Sequence, residues 1–349
     1  MDVSMLNLDE APEIQLDLVA MKTEICRVQA ECCRRGLNQT SKWLAEINFA
    51  MRTTSLPPDQ VPPPELGPGP DLDTYNLAKS YFDLKEYDRA AYFTRDMSSP
   101  LCQFLHIYSR FMSAEKKRLD NLVETVTSPD TSQLSSLKQL RSELEVVQAR
   151  SGLDGYSLYV YGLVLRKLSL TELAIPVLCE SVRAVPAHWG AWLELSCLVP
   201  SRDKLAELDL PDHWCKQVFL AHTYLELQLN EFAINIYFGL TKAGLEDSTY
   251  IMAQVAIAFH NMRQVDEAVK FFKQLSEVDP YRLDNLDTFS NLLYVKEQRV
   301  ELAHLAHKTN MIDKYRTETC CVIGNYYSLR SQHEKAVVYF QRALKLNPG

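Results

Sequence analysis

The chain has 349 residues, 46% of them hydrophobic, and a formal net charge of −8. An acidic chain lacks the basic face that neutralises phosphates, so nucleic acid is not an expected partner. Glycine is scarce, at 11 residues, and the phosphate-loop, dinucleotide, nucleophile-elbow and zinc-protease motifs are all absent from the sequence. No catalytic residue and no cofactor are therefore expected. His304 and His307 share a helix face, but no cysteine or carboxylate pair completes a metal set at a recognised spacing. No apolar stretch reaches the roughly 18 residues of a membrane span, and Met1–Glu10 lacks an apolar secretory core. Nine cysteines without a CxxC pair suit a reduced, intracellular protein whose thiols pack in the core.

In chain order, residues 1–56 read as an N-terminal helical hairpin. Ile14–Arg35 and Thr40–Met51 carry apolar residues at helical spacing, among them Leu18, Met21, Ile25 and Val28. Residues 57–70 hold seven prolines in fourteen positions, the composition of an extended linker. Residues 71–150 read as early repeats. Leu77, Ala78, Tyr81 and Ala90 make one copy, Leu101–Phe111 begins another, and a segment rich in Ser, Thr and charge at about 113–135 reads as an inserted loop before a helix over Leu137–Arg150. The run Glu115-Lys116-Lys117-Arg118 reads as a solvated helix end.

From 151 to 349 an array follows, with copies centred on 162, 196, 221, 256, 290 and 324. Leu158, Tyr161, Gly162, Leu165, Ala174, Leu178 and Pro186 make the first. The copy at 196 has Trp192 and Leu195 but a short second helix between Ser201 and Leu208. Val255, Phe259, Ala268, Phe272 and Pro280 make the copy at 256, and Asp279-Pro280-Tyr281-Arg282 is echoed 34 residues later by Asp313-Lys314-Tyr315-Arg316. The last copy is the clearest. Cys320, Ile323, Gly324, Tyr327, Ala336, Phe340, Ala343 and Pro348 take the spacing W-x2-L-G-x2-Y…A-x3-F…P of the tetratricopeptide repeat. The expected fold is all-α: a tetratricopeptide-repeat superhelix, or α-solenoid, of stacked antiparallel helix pairs, with small residues where paired helices cross.

Such an array binds through the first helices of its repeats. The candidate groove residues are Leu163 and Arg166, His222 and Leu225, Ile257 and His260, Asn291 and Tyr294, and Asn325 and Ser328. The carboxylate clamp of chaperone-tail readers needs cationic side chains, and Asp287 and Cys321 stand where its first lysine belongs. Trp189 and Trp192, flanking a repeat start, read as a staple between neighbouring helices.

Particular stretches go beyond a generic repeat. Leu77–Ala91, His188–Leu195, Asp287–Val295 and Ile312–Pro348 resemble the cell-division-cycle twenty-three scaffold family of the anaphase-promoting complex (cyclosome), and the resemblance runs from Ser41-Lys42-Trp43 onward. It implies a non-catalytic scaffold of a cell-cycle ubiquitin ligase, placed in nucleus and cytoplasm, with other subunits of that complex as partners. It also implies a two-fold homodimer built on the N-terminal helices and early repeats. Leu37, Trp43, Phe49, Tyr75 and Tyr81 are the candidate interface residues. No polar capping helix follows Pro348-Gly349, so the chain is expected to be the N-terminal piece of a longer array, with the activator site in later repeats. The rival reading is an unrelated repeat adaptor, such as a transport or chaperone platform, holding peptides in its groove.

Overall fold

Helices form the regular structure throughout the residues described by this computed structural model, which are 12–55, 71–97, 99–124, 131–150 and 152–347. They divide between two compact units, one Gln15–Leu227 and the other Met1–Ile14 with Gln228–Gly349. The proline-rich linker expected at 57–70 lies outside the described residues.

The unit Gln15–Leu227 opens with α1 (Leu18–Arg34) and α2 (Asn38–Ala50). Asp17 caps α1 by accepting from the amides of Val19 and Ala20. Met21, Ile25, Val28 and Cys32 of α1 are buried, as are Trp43, Leu44, Ile47 and Ala50 of α2, which packs against it. There follow α3 (Leu72–Asp83), α4 (Tyr87–Thr94), α5 (Pro100–Glu124), α6 (Thr131–Arg150), α7 (Gly155–Lys167), α8 (Thr171–Ala184), α9 (Trp189–Ser196), the short α10 (Arg202–Glu207) and α11 (Trp214–Glu226). The loop expected over 113–135 is corrected here. Helix α5 continues to Glu124 and α6 begins at Thr131, leaving only 125–130 outside the described residues. Ala114 is buried on α5, so the apolar stripe outlasts the point where the sequence turns polar.

The other unit holds α12 (Asn230–Leu240), a π-helical turn over Thr241–Leu245, α13 (Thr249–Asn261), α14 (Val265–Val278), α15 (Leu286–Val295), α16 (Arg299–Ile312), α17 (Thr317–Leu329) and α18 (His333–Leu346). Helices α13 to α18 pair as α13 with α14, α15 with α16 and α17 with α18, and first helices also touch first helices, α13 with α15 and α15 with α17. This is the tetratricopeptide arrangement, and the small residues sit at its crossings. A Cβ on Gly162 would lie 2.5 Å from Leu178, and one on Gly324 would lie 2.6 Å from Phe340.

Hairpin turns repeat one device. The first helix ends on a left-handed residue: Gly36, Lys85, Ser169, Arg263, Glu297 and Ser331 all have positive φ. The amide after each reaches back to an orphan carbonyl, Leu37 to Cys32, Glu86 to Tyr81, Leu170 to Leu165, Gln264 to Phe259, Gln298 to Leu293 and Gln332 to Tyr327, each at 2.9 Å. That is the Schellman closure, here mostly without glycine.

Candidate functional site

In the unit that contains α13, α15 and α17, the candidate residues stand three apart on each first helix, which puts each pair on one face. Adjacent helices then join them. Asn325 Nδ2 donates to Asn291 Oδ1 at 2.7 Å and to Ser290 Oγ at 2.8 Å, and Ser328 Oγ lies 3.4 Å from the Tyr294 hydroxyl. Asn325 is buried, Asn291 is exposed and Tyr294 is 38% exposed. Ile257 and His260 are half-buried on α13. An asparagine amide both donates and accepts, and here the Asn325 amide nitrogen is spent on Asn291 and Ser290. Burial, with Asp287 beside it, pushes the Cys321 thiol up to about 11.

The candidates in the unit Gln15–Leu227 behave differently. Leu163 is 6% exposed and belongs to the core, which corrects its placement on a groove. Leu225 is likewise buried. Arg166 pairs with Glu194 of α9 at 2.8 Å, and burial pushes that carboxyl up while Arg166 and Lys167 oppose the shift. His222 lies edge-on to Trp189 at 6.0 Å. These side chains are engaged in helix-to-helix packing.

The α1–α2 hairpin is tied to later helices of this unit by several side chains. Trp43 stacks on Trp189 at 4.4 Å and on Trp214 at 5.9 Å. Glu24 accepts from His213 Nε2 at 2.8 Å and Trp214 Nε1 at 3.0 Å. Thr40 Oγ1 accepts from the Gly190 amide at 3.1 Å. The Arg35 guanidinium covers Tyr156 at 4.3 Å and Phe104 at 5.1 Å, and meets Asp154 at 3.4 Å. Beside it His188 is fully buried between Tyr156 and Tyr159, and burial pushes its ring down to about 3, so the imidazole is neutral. The staple expected at Trp189 and Trp192 exists: Trp192 packs on Phe219 at 5.0 Å and donates to Pro186 O at 2.8 Å.

Of the candidate interface residues, Leu37, Trp43 and Tyr75 are interior, the last donating to Arg34 O at 2.7 Å. Phe49 is 65% exposed. Tyr81 stacks on Phe93 at 5.7 Å under the Arg89 guanidinium, on a face that also exposes Leu77, Leu84 and Tyr92. The stack of Trp43, Trp189 and Trp214 was not foreseen. Its only trace in the sequence is that all four tryptophans fall between residues 43 and 214. No described helix is long and apolar enough to cross a membrane, and no group of three or more His, Cys, Asp or Glu residues among the described ones is placed to hold a metal.

Residues 20–256 match the family described as "Anaphase promoting complex subunit 8 / Cdc23". The chain belongs to the anaphase-promoting complex subunit 8/Cdc23 family. Residues 317–349 match the tetratricopeptide repeat separately. Among relatives, the mouse "Cell division cycle protein 23 homolog" is 50% identical over 294 residues, 83% of this chain and 49% of that protein. The human protein of the same name has the same identity and the same coverage. The Arabidopsis thaliana "Anaphase-promoting complex subunit 8" is 41% identical over 87% of this chain and 52% of its own length. The chain thus spans about half the length of the curated subunit 8/Cdc23 relatives it matches. A solved yeast Sti1 TPR2AB domain aligns at 12% identity over 78% of this chain and 97% of that one, but with a TM-score of 0.25 it carries no argument.

Proposed function

We propose that this chain is a non-catalytic scaffold subunit of the anaphase-promoting complex, a ubiquitin ligase of the cell cycle, working in nucleus and cytoplasm. The observation that carries the reading is the family match over residues 20–256 together with 50% identity to mammalian Cdc23 homologues. The fold supports it, because stacked repeats present long faces to other proteins. Other subunits of the complex are its partners, and neither nucleic acid nor membrane is. The row Asn291, Tyr294, Asn325 and Ser328 is one contact face for an extended segment.

The subunit also forms a two-fold dimer through its N-terminal half. Exposed Phe49 and the Tyr81, Tyr92 and Phe93 face support this, since a self-complementary interface needs aromatic side chains that are not already interior. Native capture of the tagged chain tests the scaffold reading: co-purification of ligase subunits is expected, and their absence overturns it. Sedimentation tests the dimer separately, and a single species near 40 kDa at micromolar concentration refutes it.

A further inference from the structure

Gly190 and Gly239 are helical glycines outside the repeat motif, and each makes room for a residue from the N-terminal part of the chain, Thr40 and Pro12 respectively. Glycine is a poor helix residue, so its presence there marks a close approach. Gly162 and Gly324 close on Leu178 and Phe340 of their own hairpins. Gly190 instead faces the N-terminal hairpin: a Cβ there would lie 2.9 Å from Thr40 Oγ1. Within the other unit, a Cβ on Gly239 of α12 would lie 2.8 Å from the carbonyl oxygen of Pro12 and 3.0 Å from Ile14 Cδ1.

The stripe that carries Gly239 runs Phe232, Asn235, Ile236, Gly239, at i, i+3, i+4 and i+7. Phe232 is 46% exposed at one end, yet Gly239 is buried at the other. Pro12 and Ile14 lie over it. We propose that this stripe of α12 is a peptide-binding seat, that its occupant is the chain's own segment Pro12-Glu13-Ile14, and that Gly239 determines which segments fit. The chemistry is specific. The atom facing Gly239 is a backbone carbonyl, which cannot swing aside as a side-chain tip does. Ile14 supplies a branched apolar anchor and is half-buried, whereas Glu13 is exposed. Proline has no N–H, so it lays no unpaired donor on the helix. The seat takes a non-helical segment with proline two residues before a branched aliphatic side chain.

The test uses the whole chain and an endoprotease that cuts after glutamate, with release at Glu13 read by mass. Gly239→Ala is expected to speed that cleavage at least tenfold without lowering the thermal midpoint, because alanine favours the helix. Ile14→Ser, which leaves α12 untouched, is expected to do the same. Wild-type cleavage rates in both variants overturn the proposal. So does a lowered midpoint in Gly239→Ala with an unchanged rate in Ile14→Ser, which would make Gly239 a packing residue only. Protection at Glu13 that vanishes on dilution places a second copy's segment in the seat and overturns the own-chain assignment.

Discussion

Trp43 of α2 stacks on Trp189 of α9 with ring centroids 4.4 Å apart and planes 10° from parallel. The contact bridges 146 positions of sequence (189 minus 43) and, with the stack of Trp43 on Trp214 at 5.9 Å, clasps the N-terminal hairpin to α9 and α11. Trp43→Ala removes both stacks and leaves a void, and should lower stability by about 3–5 kcal/mol. Urea unfolding followed by far-ultraviolet dichroism measures this. A loss below about 1 kcal/mol would mean that the hairpin is held by something other than the indole clasp.

That clasp was beyond the reach of sequence reasoning because no local period encodes it. What the sequence did encode was the spacing of small residues. Ala78, Gly162, Ala221, Ala256, Ser290 and Gly324 are all buried, because paired helices approach only where side chains are short. The misread loop at 113–135 has a physical cause. Lys116 and Lys117 are exposed on α5 and Glu115 pairs with Arg118 and, at 2.9 Å, with Lys167, while Phe111 and Ala114 keep the buried stripe going. The candidate residues of the first helices fall into two groups. Asn291 and Asn325 were found by the 34-residue spacing and are bonded to each other. Leu163 misled, since α7 is packed by α5, α6, α8 and α9 and has no open face.

Glu24 makes the clasp sensitive to acid. Burial pushes its carboxyl up, but the hydrogen bonds from His213 and Trp214, with the charges of His213 and Arg27, outweigh this and hold it below the usual glutamate value. A depressed carboxyl contributes stability above its unfolded value of about 4.3 and loses it as pH falls through the folded value. Stability of the wild-type chain should therefore decline below about pH 4 more steeply than that of Glu24→Gln. Parallel curves for the two proteins would remove Glu24 from the account.

Cysteine labelling separates interior from surface. Cys33 and Cys197 are exposed, whereas Cys32 is buried and its thiol is pushed up to about 12 by burial, with the charge of Arg35 opposing the shift. Maleimide at pH 8 should modify Cys33 and Cys197 first and leave Cys32 until the chain unfolds. Fast modification of Cys32, read by peptide mass, would show that the α1–α2 hairpin opens in the native state.

Gly324→Ala should act in the opposite direction to Gly239→Ala. The added methyl meets the Phe340 ring at 2.6 Å within one hairpin, in a packed crossing. Overpacking of this kind lowers stability by about 1–3 kcal/mol. A thermal midpoint unchanged by Gly324→Ala would mean that α17 and α18 separate without penalty, contrary to the repeat packing.

The left-handed turn residues offer a gain rather than a loss. Arg263 has φ 60° and Ser331 has φ 60°. A side chain in that conformation costs about 1–2 kcal/mol relative to one in the right-handed region, and glycine escapes the penalty while giving back part of it through the freer unfolded chain. Arg263→Gly and Ser331→Gly should each raise stability by up to about 1 kcal/mol, and the two should add, because the turns belong to different hairpins. Denaturant midpoints of the two single variants and the double variant measure this. A loss in either single variant would assign its side chain a stabilising role beyond the turn, and a non-additive double would mean that the α13–α14 and α17–α18 hairpins share strain across the intervening α15–α16.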